Sequence, residues 1–127
     1  MQLRGWINFD NVEAIMRIVV ILDKDNTINA GDIFTYINTT NVVNSPYAKD
    51  NKYNYRVLMD RRFSPNANKP MIMFSKNFRI QKKVQFEAAT TTILYNAIKV
   101  FVYSSNAGNA QDKPNVRFVT RCYYTDN

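Results

Sequence analysis

Histidine is absent from the 127 residues. The commonest general base is therefore missing, and neither a Ser-His-Asp nor a Cys-His arrangement can be built. What remains for chemistry is guanidinium and ammonium. The run Tyr55-Arg56-Val57-Leu58-Met59-Asp60-Arg61-Arg62-Phe63-Ser64 sets three arginines around one aspartate within a β-alternating apolar pattern. Side chains of a strand alternate sides. Tyr55, Val57, Met59 and Phe63 are thus expected on one face, and Arg56, Leu58, Asp60 and Arg62 on the other. Arg61 interrupts the apolar face with its head at the rim, and Asp60 pairs with a neighbouring arginine. The chemistry such a strand offers is non-covalent capture of anions.

Other reactive types are sparse. Asp23 and Asp25 are the only close carboxylate pair, and they read as turn residues that bond local backbone amides. The three glycines, Gly5, Gly31 and Gly108, are too far apart for a phosphate-cradling loop. The single cysteine, Cys122, excludes an intrachain disulfide and cannot hold a metal alone, and is expected as a small buried hydrophobe. The expectation is a protein that is not an enzyme and carries no cofactor.

Nucleic-acid binding has better support. The formal net charge is +7, which on a small domain attracts phosphate. The surplus is concentrated: residues 52–83 hold nine Lys or Arg against one acid, Asp60, while five of the ten acids lie before residue 33. The phosphate-facing candidates are Arg56, Arg61, Arg62, Arg79, Lys82 and Lys83, with Arg117 and Arg121 behind them. Tyr53, Tyr55, Phe63 and Phe78 are interleaved with these cations and either stack on unpaired bases or fill the core.

The elements that must position these residues are mostly strands, in one domain spanning residues 1–127. Residues 14–23 form a β-branched apolar run whose only charge before the closing Asp23 is Arg17, which predicts a strand covered on both faces. Asp32 is expected to cap a short helix of about two turns towards Ile37. Residues 39–54 read as a long loop. Met71 to Phe74 pair briefly, and a clean strand follows with Phe78, Ile80, Val84 and Phe86 on one face and Arg79, Gln81, Lys83 and Gln85 on the other. Residues 93–103 read as one central strand, apolar on both sides, and residues 116–124 as a closing strand with Arg117 and Arg121 opposite Val116, Phe118 and Cys122. Strands spaced by irregular loops favour an all-β sandwich or barrel. No signal-peptide pattern opens the chain and no apolar run approaches a membrane span. The expectation is a soluble chain made in a reducing compartment, the cytosol.

The order of these segments carries a resemblance. A β-branched strand ending in Asp23-Lys24, then Asp32-Ile33-Phe34, a polar loop and Tyr55 to Ser64 resembles the capsid proteins of circular, Rep-encoding, single-stranded DNA viruses (circovirus-like). Lys76 to Phe86, Asn96-Ala97-Ile98 with the apolar run after it, and Val116-Arg117-Phe118 through Tyr124-Thr125-Asp126 are similar to later strands of that family. The resemblance spans roughly residues 14–126. It implies a viral jelly roll, an antiparallel β-sandwich of two four-stranded sheets. Copies of the chain would self-assemble into a small icosahedral shell enclosing a single-stranded DNA genome. It also implies a virion location, passage through the host nucleus or cytoplasm during assembly, and contact with a host-cell attachment factor without membrane insertion.

Two departures accompany the resemblance. Residues 1–11 contain neither the family's arginine-rich arm nor a recognisable strand, and only five or six strands are countable. The expectation is a jelly roll lacking its N-terminal strands, which leans on neighbouring copies to cover its edges. The alternative is a non-enzymatic single-stranded nucleic-acid-binding β-barrel module in which Arg56, Arg62, Arg79 and Lys83 line one groove.

Overall fold

The computed structural model describes residues 1–8, 14–36, 42–80, 82–88, 91–105 and 114–122. The strand β2 (Met16–Asp23) is its centre, and all eight of its residues are buried. Ile18, Val19, Val20 and Ile21 are β-branched, stiff at χ1 and suited to a pleated surface packed on both sides. Val19 and Ile21 point into one core with Ile28, Ile33, Phe34, Val42, Val43, Tyr55 and Tyr103. Met16, Ile18 and Val20 point into a second, with Leu3, Ile7, Met59, Phe74 and Phe78. One strand thus holds two cores apart.

β2 pairs antiparallel with β3 (Tyr55–Phe63) and with β7 (Ala97–Ser104), giving a sheet of order β3-β2-β7. A second antiparallel sheet, β4-β1-β8, is built on β1 (Gln2–Asn8), flanked by β4 (Met71–Asn77) and β8 (Asn115–Arg121). The two sheets pack face to face across the second core, as an all-β sandwich. The other face of β3-β2-β7 is roofed by a loop layer containing 3₁₀ turns at Ala30–Asp32 and Val42–Asn44. A two-stranded ladder of β5 (Gln85–Phe86) and β6 (Ile93–Tyr95) completes the fold.

Several expectations are corrected. Residues 2–8 do form a strand: Leu3 and Ile7 are fully buried, while Gln2, Arg4, Trp6 and Asn8 alternate outward. The described residues contain eight strand segments rather than five or six. The two-turn helix is a single 3₁₀ turn capped by Asn29, in which Asp32 is the third residue of the capping box, and Phe34 is already bridged to Tyr47; Ile37 lies outside the described residues. The brief pairing expected at Met71 to Phe74 extends to Asn77, because β1 supplies the partner there, whereas of the strand expected over Phe78 to Phe86 only Gln85–Phe86 is a strand among the described residues. The ladder of β1 with β4 closes where the Phe78 amide donates to the Met1 carbonyl at 2.8 Å and the Met1 amine to the Phe78 carbonyl at 2.9 Å. Gln81 is outside the described residues.

The long strand over residues 93–103 is broken at Asn96, whose φ of 59° lies in the left-handed region that asparagine tolerates. The Asn96 amide donates to the Lys24 carbonyl, so the break is held across to the turn after β2. β7 is the outer strand of its sheet, and β2 takes the central place. Cys122 is exposed, because β8 ends at Arg121; residues 123–127 lie outside the described set.

Gly5 marks the tightest approach in the second sheet. A Cβ there would meet the Phe74 ring at 2.5 Å and the Arg117 carbonyl oxygen at 2.7 Å. The ring could swing away, but the carbonyl belongs to a paired backbone. Gly5→Ala is therefore expected to destabilise the fold by about 1–3 kcal/mol, seen as a lower urea midpoint at unchanged slope. A variant as stable as the parent would mean that β8 gives way freely.

Candidate nucleic-acid interface

All eight cations expected to face phosphate are exposed, at three separate places. Arg56, Arg61 and Arg62 stand on β3, an outer strand. Arg79, Lys82 and Lys83 follow β4, in a segment anchored by buried Phe78 and by the Asn96 side chain, which donates to the Lys83 carbonyl at 2.8 Å. Arg117 and Arg121 share the outward face of β8.

The faces of β3 differ from the expected alternation. Val20 pairs with Met59 and Ile21 with Val57, so Leu58 is the extra residue of a β-bulge. Beyond it the parity is exchanged. Arg62 and Asp60 share a side with Arg17 and Val19, as do Tyr55 and Val57, whereas Arg56 falls on the side of Leu22, Met59 and Arg61. Arg56 and Arg62 consequently point to opposite faces and do not line one groove.

Asp60 does pair with an arginine, but the partner is Arg17 on β2. Arg17 is buried, with its side chain only 4% exposed. Its Nε donates to Asp60 Oδ1 at 2.9 Å and its Nη2 to Oδ2 at 2.6 Å, the bidentate fork that suits carboxylates. Its Nη1 donates to the carbonyls of Val43 and Ser45 at 3.2 and 2.8 Å. The guanidinium carbon lies 4.0 Å from the centroid of the Phe34 ring, and the Tyr47 hydroxyl donates to Asp60 Oδ2 at 2.5 Å. Burial by itself would lower the Arg17 pKa, but the hydrogen bonds and charge of Asp60 raise it. Burial likewise pushes the Asp60 carboxyl up, and Arg17, Tyr47 and the charge of Arg62 together hold it below its usual value. The Tyr47 hydroxyl is pushed up, by burial first and then by Asp60. At the other end of β2, Asp23 is fully buried; its Oδ2 accepts from the Ile28 amide and pairs with Lys99 Nζ, both at 2.8 Å.

The interleaved aromatics divide clearly. Tyr55 and Phe78 are buried and Phe63 stacks at 5.2 Å on Phe74, so these three serve the core. Tyr53 is 72% exposed, with Lys52 Nζ 4.7 Å from its ring centroid.

Two residues on the outward face of β4-β1-β8 were missed. Arg4 is registered with Val119, between the rows of Arg117 and Arg121, and Trp6 is registered with Arg117 on one side and Met73 on the other. Turned so that its oxygen meets donors, the Gln2 amide accepts from Arg4 Nε and Nη2, both at 3.2 Å. The signal available in the sequence was the strict alternation of Gln2-Leu3-Arg4-Gly5-Trp6-Ile7-Asn8.

Among the described residues no three acidic or sulfur side chains are grouped to hold a metal, and no helix is long and apolar enough to cross a membrane. No family model, curated protein or solved structure matches the chain.

Removing one member of the Arg17–Asp60 pair leaves the other without its counter-charge. Asp60→Asn, which strands the buried Arg17 charge, is expected to lose about 3–5 kcal/mol of stability, with Arg17→Met losing less because the Asp60 carboxylate it leaves behind is a quarter exposed. The folded Asp60 carboxyl titrates below its unfolded value, near 3.9. Its contribution is therefore full above that value and is lost as pH falls through the lower folded value. Acid unfolding followed by circular dichroism should show this loss in the parent and lack it in Asp60→Asn.

Proposed function

We propose that this chain is a capsid shell protein of a circular, Rep-encoding, single-stranded DNA virus, folded as a jelly roll and self-assembling around the genome. The strand order carries the reading. In a jelly roll, eight strands pair as a nested antiparallel ribbon: first with eighth, second with seventh, third with sixth, fourth with fifth. Rolled up, they give sheets in the order first-eighth-third-sixth and second-seventh-fourth-fifth. Taking β1, β2, β3, β4, β7 and β8 as the third to eighth strands reproduces every ladder of the two three-stranded sheets, β8-β1-β4 and β7-β2-β3, with the β5-β6 ladder lying between the sixth and seventh strands in the sequence.

The first and second strands of that scheme would lie beside β8 and β7. Phe63 of β3 stacks on Phe74 of β4, which sets those two strands opposite each other and leaves β7 opposite β8. On that flank Phe118 and Val102 sit at inward-facing register positions and yet remain 43% and 38% exposed. Apolar side chains left uncovered between two sheets mark the side on which further strands would close the sandwich. The +7 charge supports a nucleic-acid cargo.

Expressed from its complete reading frame and purified, the protein is expected to form roughly spherical particles visible by electron microscopy. A stable monomer across salt and protein concentration would overturn the shell reading. If short oligonucleotides instead bind at a fixed small stoichiometry with no particles, the single-strand-binding module is the better description.

A further inference from the structure

The outward face of β4-β1-β8 is formed by Met71, Met73, Ser75 and Asn77 from β4, Gln2, Arg4, Trp6 and Asn8 from β1, and Asn115, Arg117, Val119 and Arg121 from β8. No acid stands among them. Met73 is 79% and Val119 61% exposed, and Trp6 is partly exposed between Met73 and Arg117. Directly opposed cross-strand residues have Cβ atoms about 4.5–5.5 Å apart, so Met73, Trp6 and Arg117 form a continuous row. Neither Arg4 nor Arg117 forms an ion pair with a described carboxylate. A flat indole beside exposed thioether and isopropyl groups, bordered by guanidinium and with Asn8 and Asn77 at opposite ends, offers base stacking, phosphate pairing and amide hydrogen bonds on one surface.

We infer that this face seats single-stranded nucleic acid, an unpaired base lying on Trp6 and Met73 while Arg4 and Arg117 hold the flanking phosphates. This rests on the proposal that the chain's polyanion is single-stranded nucleic acid, and gives that polyanion a place distinct from the arginines of β3. Unpaired bases present a π-face that a duplex keeps within its own stack, and single-strand binders use stacking on aromatics in a cationic groove. The charge also argues against a second copy of this chain as the occupant. Two such faces laid together about a two-fold axis would bring one arginine-bearing surface against another, with no carboxylate on either.

Trp6 is the only tryptophan in the chain, so tryptophan emission, excited selectively over that of the tyrosines, reports on this face alone. Titration with a short oligothymidylate is expected to change Trp6 emission to saturation, and a duplex of equal length is not. Arg4→Gln with Arg117→Gln is expected to shallow the slope of log affinity against log salt by about 0.7 for each arginine. Trp6→Ala, followed by anisotropy of a labelled oligothymidylate, is expected to weaken binding about ten-fold. Met73→Glu, at a more exposed position, is expected to weaken it as well, and both variants are checked for fold by circular dichroism. Oligothymidylate binding that leaves Trp6 emission unchanged and is indifferent to these variants would overturn the inference while the nucleic-acid reading stands. Emission that responds to protein concentration but not to oligothymidylate would make the face a contact between copies and would equally overturn it. Absence of oligothymidylate binding at every salt concentration would take down the nucleic-acid reading itself.

Discussion

Arg17 is a permanent cation in a strand whose every residue is buried, and the arrangement of the loop layer follows from how that charge is satisfied. A guanidinium cannot give up its proton to escape the interior, so its donors have to be met by the protein. They are met by Asp60 from β3 and by the carbonyls of Val43 and Ser45 from the loop layer, with the Phe34 ring against the guanidinium plane. An apolar side chain could fill the same space, and buried ion pairs are frequently no more stabilising than such a replacement. What an apolar residue cannot do is require two particular carbonyls and one particular carboxylate to converge. The charge selects the register of β3 and the seat of residues 42–47 together. Asp23 repeats the device at the far end of β2, where the Ile28 amide and Lys99 meet a fully buried carboxylate.

Between these two charged ends the strand is purely apolar, and that was the most legible part of the fold. Four consecutive β-branched residues, Ile18 to Ile21, could only be a strand with cover on both sides. The strand identity of residues 55–63 was equally plain. Legibility failed where pairing, rather than local pattern, decides the outcome. Phe78 to Phe86 alternates well, but β1 is registered with residues 71–77, and Phe78 joins the core at the end of that ladder. Ile93 to Tyr103 looks continuous, and only the positive φ of Asn96 shows that it is two strands. β1 was hidden by its glycine and by an outward-facing tryptophan, two residues that argue against a strand until the close approach of Phe74 and the Arg117 carbonyl is seen.

The candidate site divides along the same line. Arg117 and Arg121 were foreseeable as one cationic face, because alternation within a strand is local. Arg4 and Trp6 come from the opposite end of the chain, and only the antiparallel register of β1 with β8 brings them beside those arginines. Composition located the basic middle of the sequence correctly but could not tell that its cations are dispersed over an outer strand and a following segment, while a smaller cluster with an aromatic at its centre assembles elsewhere. The aromatics of the basic stretch were the least informative guide, since Tyr55, Phe63 and Phe78 all turn inward.

The bulge at Leu58 has a bearing on how this strand can be compared with distant counterparts. A strand's inside-outside alternation works as a two-state code, and one extra residue inverts it for everything downstream. Two chains that share the fold but carry the bulge at different points will match in hydrophobic pattern only if a one-residue gap is opened within the strand, where gaps are ordinarily discouraged. An ungapped alignment through residues 55–63 would equate core positions with surface positions on one side of Leu58. Arginines would then be set against apolar residues, and true structural correspondence would register as dissimilarity.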